Sequence, residues 1–345
     1  MRVRQGRAAD MSNGSQMVNM TEEDDAAVDR TEWTITTTCR RCRAAWNLAP
    51  SVIGTNSDGK AFFRRQPESE AELMEAWRAA VACPTGSIKA PRGLKVPEDV
   101  FPQLLSENLW RLGYNDNSSA GAHPFFIRSK SGLNFMVDGP RFVSKVVKFI
   151  EEQGGLDHVL LTHRDDVGSS ARYAEHFGAR LWIHENDRAA APEATDILTG
   201  YDTSEPIAGC TVIPIPGHTI GSVAFLIDEK LFVGDSLGWE LSASQLWTNP
   251  IFCWDDWEMQ RRSLRRLQDV RFTYVCSGHN SSIEFSHERM QTELANTLAY
   301  LDTLPWSPPT HLPTGAAIPE ARIQERDRRV ALVKNDFYAT LAHAG

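Results

Sequence analysis

Five short stretches of this chain run an apolar segment into an aspartate or a histidine. They are Phe135-Met136-Val137-Asp138, Leu160-Leu161-Thr162-His163-Arg164-Asp165-Asp166, Ile215-Pro216-Gly217-His218, Phe232-Val233-Gly234-Asp235 and Val275-Cys276-Ser277-Gly278-His279. A strand end is a rigid edge, so several such ends can aim side chains from distant sequence at one point. Neutral imidazoles and carboxylates are the donors that zinc, iron or manganese take. Singly, each stretch reads as a turn residue after a strand. All five in this order point to one metal-binding edge.

A second set is made of thiols. Cys39 and Cys42 stand in a Cys-x-x-Cys pair, and Cys83 precedes Pro84. This is the skeleton of a small ferredoxin, in which the last cluster cysteine commonly precedes proline. The surrounding text fits: Leu48-Ala49-Pro50, then Gln66-Pro67 and a helix, then Cys83-Pro84-Thr85-Gly86. A four-iron cluster takes four thiolates, and the next position in the spacing is Ala45, which leaves three. Three thiolates suit a 3Fe-4S cluster, or a 4Fe-4S cluster with an exogenous fourth ligand. The alternatives are a ferredoxin body packed by Trp46, Phe62, Phe63 and Trp77 without iron, or a thiol redox switch. The switch is the weaker of the two, because no βαβ pattern follows the pair. Cys210, Cys253 and Cys276 lie among apolar residues and read as core thiols.

The elements that must position these residues are legible in outline. A threonine-rich strand over Trp33–Thr38, a strand over Gly59–Phe63 and an amphipathic helix over Glu70–Ala82 make a compact first unit. Strands follow at Phe125–Ile127, Phe135–Val137, Val159–Leu161, Leu181–Ile183, Thr211–Ile215, Val223–Ile227, Leu231–Val233 and Tyr274–Cys276. Helices are expected at Val143–Gln153, Ser169–Phe177 and, basic and amphipathic, Asp255–Leu267. This alternation favours layered α and β structure. The boundaries expected are a polar leader over 1–30, a first domain over 31–92, a second over 100–290 and a helical tail with a proline-rich linker over 291–345.

Composition narrows the partners. Lys and Arg number 36 against 45 Asp and Glu, a formal charge of −9, which argues against nucleic acid as the main partner. No run of 18 apolar residues exists, so nothing in the sequence reads as a membrane span. Six cysteines in 345 residues are too sparse for a secreted disulfide scaffold, and the leader lacks the apolar core of a secretory signal. A cytoplasmic protein with a small-molecule substrate is the expectation.

The order of the five stretches resembles the metallo-β-lactamase superfamily over roughly 108–285, most specifically in Ile215 to Ser222, Phe232 to Asp235 and Ser277 to His279. The resemblance implies an α+β fold, an αββα sandwich of two sheets with a metal site at one edge. It implies that His163, His218 and His279 are ligands, that Asp235 is a carboxylate between two metals, and that Asp138 orients the site. The N-terminal text resembles a single-cluster ferredoxin-like domain over 33–90, fused ahead of the sandwich.

One motif departs from the superfamily. Its hallmark is His-x-His-x-Asp-His, and a subgroup reads His-Arg/Lys-Asp-Asp-Val-Ala-Asp-His. Here the text is His163-Arg164-Asp165-Asp166-Val167-Gly168-Ser169-Ser170, and serine also stands at 222 and 236, where the subgroup tends to have histidine. His163, Asp165 or Asp166, His218 and Asp235 supply one zinc or iron site, whereas a second metal is left with Asp235 and His279. One well-occupied site is therefore the expectation. Trp239 and Trp247 are the candidates for a substrate-pocket wall, by their loop position and rigid aromatic area.

Two functions follow. One is a metal-dependent hydrolase of the glyoxalase II kind, acting on a small ester, thioester or lactam, with Asp165 or Asp166 accepting a proton. The other is a non-hydrolytic redox or binding protein, with a redox partner served by the ferredoxin-like unit and a metal edge that has stopped binding metal.

Overall fold

The computed structural model describes residues 31–304 together with Gln324. The leader, the proline-rich segment and the last helix expected from sequence lie outside the described residues.

The first unit holds β1 (Thr34–Ile35), α1 (Ala44–Leu48), β2 (Ile53–Thr55), β3 (Ala61–Phe63), α2 (Glu70–Ala82) and β4 (Ile88–Lys89). α2 starts where its sequence says it should. The Ser69 hydroxyl accepts from Glu72 N, and the Glu72 carboxylate accepts from Ser69 N, which satisfies donors that the first turn leaves open. Trp33 meets Trp77 edge to face at 4.9 Å, and with Val52, Ile53 and Phe101 they fill a small core. The strand expected over Trp33–Thr38 forms only at Thr34–Ile35. Beyond it the Thr36 and Thr38 hydroxyls bond to each other, and Thr38 bonds Ser87, turning the chain toward Cys39.

A seven-stranded sheet follows. Its members are β5 (Gln103–Ser106), β6 (Leu109–Arg111), β7 (Phe125–Arg128), β8 (Asn134–Val137), β9 (His158–Leu160), β10 (Arg180–His184) and β11 (Asp196–Leu198), side by side in chain order. β5 to β8 are antiparallel, and β8 to β11 are parallel. The parallel crossovers are α3 (Ser144–Glu152) between β8 and β9 and α4 (Ser170–Phe177) between β9 and β10. The second sheet runs β12 (Ser204–Ile207), β13 (Cys210–Pro214), β14 (Val223–Ile227), β15 (Lys230–Phe232), then β18 (Tyr274–Cys276) and β19 (Ile283–Glu284). Between β15 and β18 lie the hairpin β16 (Gly238–Glu240) and β17 (Gln245–Trp247) and the helix α5 (Trp257–Ser263). α6 (His287–Thr303) follows β19.

Alternation along the strands builds four layers. Phe125, Ile127, Phe135, Val137 and Leu160 point inward to meet Val212, Phe225, Ile227, Phe232 and Cys276 of the second sheet. Phe126, Met136, Val159 and Leu161 point outward against Val146, Ile150 and Tyr173 of α3 and α4. Ile213, Ala224, Leu231 and Val275 face α5 and α6, through Trp257, Leu264, Leu294 and Leu298. Strands covered on both faces are apolar at almost every position, which explains the continuous runs Phe125–Ile127 and Phe135–Val137. The fold is the expected helix–sheet–sheet–helix sandwich, and α6 carries its packing past 290 as far as Leu304.

The helix expected over Asp255–Leu267 is α-helical only at Trp257–Ser263, capped by the Asp256 carboxylate on Met259 N at 2.8 Å, and tightens into a 3-10 turn over Leu264–Leu267. Among the described residues, no helix is long and apolar enough to cross a membrane.

Candidate metal centre

The strand ends deliver their side chains to one edge of the sandwich. Asp138 follows β8 in a left-handed conformation, and its carboxylate accepts from Thr162 N at 2.9 Å and from Thr162 Oγ1 at 2.9 and 3.1 Å. Thr162 Oγ1 lies 3.0 Å from His163 Nδ1. A hydroxyl that donates to Asp138 accepts from His163, so the proton sits on Nδ1 and Nε2 presents its lone pair to the edge. Asp138 is thus linked to His163 through Thr162.

His163 Nε2 is 3.9 Å from both Asp165 Oδ2 and Asp235 Oδ2, and His218 Nε2 is 3.6 and 3.7 Å from the same two atoms. The two imidazoles stand nearly perpendicular, 4.7 Å between centroids. His279 Nε2 lies 3.6 Å from Asp235 Oδ2 and 3.8 Å from Asp166 Oδ1. The ligand atoms of His163, Asp165 and His218 lie within 4.8 Å of one another, as do those of His163, Asp166 and Asp235. All the sequence-predicted residues of the edge therefore converge.

Two glycines make the convergence possible. Gly234 has φ +49°, and a Cβ there would stand 2.5 Å from Thr162 Oγ1. A Cβ on Gly278 would stand 2.6 Å from Asp235 Oδ1 and 2.8 Å from Asp166 Oδ2, inside the space the two carboxylates share.

The donor set fits a cation. His163 Nε2, His218 Nε2, Asp165 Oδ2, Asp235 Oδ1 and both oxygens of Asp166 are buried atoms without hydrogen-bond partners. Buried polar atoms in native proteins are almost always paired, and an uncompensated buried charge costs several kcal/mol. Protons carry part of the compensation in the metal-free protein. Burial alone would lower His279, but Asp235 and Asp166 outweigh it and raise the imidazole to about 10. His218 is raised against burial by Asp165 and Asp235. Asp165 resists burial and is held well below the usual carboxylate range by His218 and His163. Asp166 and Asp138 are both raised by burial, Asp166 further by Asp235 and Asp138 further by Asp166.

Sequence reasoning gave the half of the edge around His279 two donors, His279 and Asp235. The structure adds Asp166 as a third. Ser169 and Ser170 supply none: the Ser169 hydroxyl donates to Asp116 at 3.0 Å, and Ser170 is packed against Gly139.

The pocket-wall expectation is corrected. Trp239 is buried in the core beside Phe285 at 5.2 Å, and Trp247 packs on Tyr300 at 5.4 Å. The register of the β16–β17 hairpin puts the two on opposite faces, and Trp254 lies 6.2 Å from the His218 ring.

Sequence reading also missed a clamp. Arg164 donates to both oxygens of Asp255 at 2.7 and 3.0 Å, and Arg164 N donates to Asp187 at 3.0 Å. Asp255 in turn accepts from Ile220 N at 2.8 Å, and Asp187 accepts from the Thr219 hydroxyl. This bidentate pair ties the His163 loop to the His218 loop. Arg164 gave a signal only as the middle of a motif. Asp187 and Asp255 gave none. His123, Asn115 and Ser119 are a further buried polar group, with His123 N donating to Gly278 O at 2.8 Å.

Cys39, Cys42 and Cys83 line a single pocket, and Ala45 stands in its wall. Burial pushes the Cys42 thiol up to about 12, and Cys83 and Cys39 add to the effect from close by. Cys83 Sγ accepts from Ser87 N at 3.2 Å, a bond of the kind that supports a ligating sulfur. Among the described residues, the three thiols are not one of the groups whose atoms all lie within 4.8 Å of one another. Cys210, Cys253 and Cys276 are buried, as expected of core thiols.

Residues 35–90 match the model of the 4Fe-4S single cluster domain of Ferredoxin I. The chain is 31% identical over 132 residues to a hydroxyacylglutathione hydrolase of Shewanella loihica, covering 36% of this chain and 48% of that protein. It is 32% identical over 137 residues to one of Yersinia pestis, covering 37% and 51%. The chain thus spans about half the length of these curated relatives. Solved structures similar to it include the DIM-1 metallo-β-lactamase, at 18% identity and TM-score 0.43 over 58% of this chain and 96% of that one. Another is a metallo-β-lactamase family protein of Thermus thermophilus, at 22% identity and TM-score 0.41 over 58% and 81%. In its likeness to the hydroxyacylglutathione hydrolases over that stretch, its two-sheet sandwich and its converging His and Asp strand ends, the chain is similar to the metallo-β-lactamase superfamily, with a ferredoxin-like domain ahead of the sandwich.

Proposed function

We propose that the protein is a metal-dependent hydrolase of a small ester or thioester, working at the edge where His163, Asp165, His218 and Asp235 meet. The observation that carries this is the set of buried, unpartnered ligand atoms aimed at one point. A divalent zinc or iron held there would polarise a substrate carbonyl and lower the pKa of water beside it. His163 and His218 supply neutral donors, with the tautomer of His163 set by Thr162. Asp165, held low, is an anionic donor and a poor base. Asp166, raised by burial and by Asp235, has the basicity to take the proton of the attacking water. The Arg164–Asp255 pair keeps the two histidine loops in register. The likeness to hydroxyacylglutathione hydrolases supports a thioester as the substrate to try first.

Metal analysis of the purified full chain, with thioester hydrolysis assayed before and after chelation, tests this. About one zinc or iron per chain beyond the iron that accompanies acid-labile sulfide, and hydrolysis that chelation abolishes and metal restores, is the expected result. Metal-loaded protein that hydrolyses neither esters nor thioesters would sink the proposal.

A specific observation favours a second reading for the N-terminal unit. Three thiols and Ala45 share one pocket, so the unit holds an iron–sulfur cluster through Cys39, Cys42 and Cys83 and serves electron transfer with a redox partner. Iron with acid-labile sulfide and a brown colour is the expected finding.

A further inference from the structure

His279 stands between two sites that are far apart in the sequence. Its Nε2 faces Asp235 and Asp166 at the metal edge, while its Nδ1 lies 3.4 Å from the backbone carbonyl oxygen of Cys42. A carbonyl only accepts, so Nδ1 donates, and Nε2 is the nitrogen that gives up its proton to take a cation. Cys42 is also the residue whose thiol lines the cysteine pocket. One hydrogen bond therefore joins a residue of each site.

The surrounding contacts hold that bond in place. Asn47, on α1, donates through Nδ2 to the His279 carbonyl oxygen at 2.8 Å, and its Oδ1 accepts from Ser281 Oγ at 3.3 Å. Gly121, in the loop before β7, lies so close to the thiol that a Cβ there would be 3.0 Å from Cys42 Sγ. Arg43 bonds Glu240 at 2.6 Å across the same boundary. The two units thus meet tightly at the point where each presents its donor atoms.

We propose that the contact from Cys42 to His279 couples the two sites, so that charge at the three-cysteine pocket sets how tightly the edge holds a cation. This rests on the reading that both sites take metal. The physical basis is polarisation along the hydrogen bond. An electron added to a cluster bound by Cys42 makes the carbonyl a stronger acceptor and the imidazole a better donor through Nε2. A cation at Nε2 makes Nδ1–H a stronger donor and stabilises the reduced cluster. By linkage the two effects are the same free energy read from two ends. No bond forms or breaks: one electron enters the cluster from the added reductant.

The experiment uses the full chain, with the cluster rebuilt anaerobically from ferrous iron and sulfide. The cluster's midpoint potential is followed by EPR with and without zinc at the edge, and zinc affinity is measured in the oxidised and the dithionite-reduced protein. Zinc should raise the potential and should bind the reduced protein about fivefold or more tightly. Asn47→Ala, which frees the His279 backbone and touches no donor atom, should cut that ratio by about half or more with cluster and zinc contents unchanged. Equal zinc affinity in the two redox states, or a ratio unaltered by Asn47→Ala, overturns the coupling through His279. A chain that takes up no cluster overturns the reading of the N-terminal unit and this inference with it. A chain that fills both sites without coupling overturns the inference alone.

Discussion

Asp166 Oδ1 lies 3.8 Å from His279 Nε2, and neither oxygen of that carboxylate accepts a hydrogen bond. A fully buried acid in this position makes the edge depend on a charge to neutralise it, whether a proton or a cation. The chelated protein should show this as pH-dependent stability. The His279 imidazole is raised in the folded state to about 10 from an unfolded value of about 6.5. Its contribution is therefore fully present below about 6.5 and is lost as pH rises through about 10. Melting temperature of the metal-free protein should fall between pH 7 and 10.5, and His279→Gln should flatten that fall. An identical slope in the variant would remove His279 as its source.

Asp165 and Asp235 raise His218 in the metal-free protein, so a cation competes with a proton held more tightly than in a free imidazole. Zinc uptake near neutral pH should release protons and strengthen as pH rises. Calorimetry in two buffers of different ionisation enthalpy reads this directly, and equal apparent heats would contradict it. His218→Ala should remove the metal, because one of three donors within 4.8 Å is lost. Two tightly held equivalents in the unaltered chain would assign Asp166 to a second ion as a ligand in place of its role as proton acceptor.

Gly278→Ala should lower metal content without unfolding the sandwich. The new Cβ enters the space between Asp235 Oδ1 and Asp166 Oδ2, at 2.6 and 2.8 Å, and pushes apart two carboxylates that must converge. Metal per chain after identical loading and desalting is the measurement, with circular dichroism as the check on fold. Full metal content would show that the carboxylates shift without cost.

Arg164→Ala leaves Asp187 and Asp255 buried without their cation. Breaking such a pair costs about 3–5 kcal/mol, and the loop carrying His218 loses its tie to the loop carrying His163. Denaturant unfolding should report the loss. A cost below about 1 kcal/mol would mean that water replaces the guanidinium.

Ala45→Cys restores a fourth thiol to a pocket that three already line. The reconstituted variant should give the EPR and iron count of a four-iron cluster where the parent gives those of a three-iron one. Identical spectra from both would show that Ala45 does not mark the missing ligand.

The strands and the long helix α2 were legible in the sequence because their signals are local. Phe125–Ile127 and Phe135–Val137 are apolar runs of strand length, and Ser69 and Glu72 form a capping box within one turn. The five strand ends were legible for the same reason, since each donor sits directly after its own strand. What each donor faces depends on residues far away. Asp166 faces His279, and no local feature distinguishes it from Asp165, its partly exposed neighbour. The short strands β5, β6, β16 and β17 exist through pairing alone, so their segments carry little periodicity to read. The hairpin they include took Trp239 into the core against an expectation drawn from loop position. Asp187 and Asp255 became the clamp on Arg164 only when two loops met, and Cys42 reached His279 only when segments more than 200 residues apart came together. Types and spacing thus fixed which atoms could bind a metal, and tertiary packing decided which of them stand together, because convergence is a property of distance in space and not of distance along the chain.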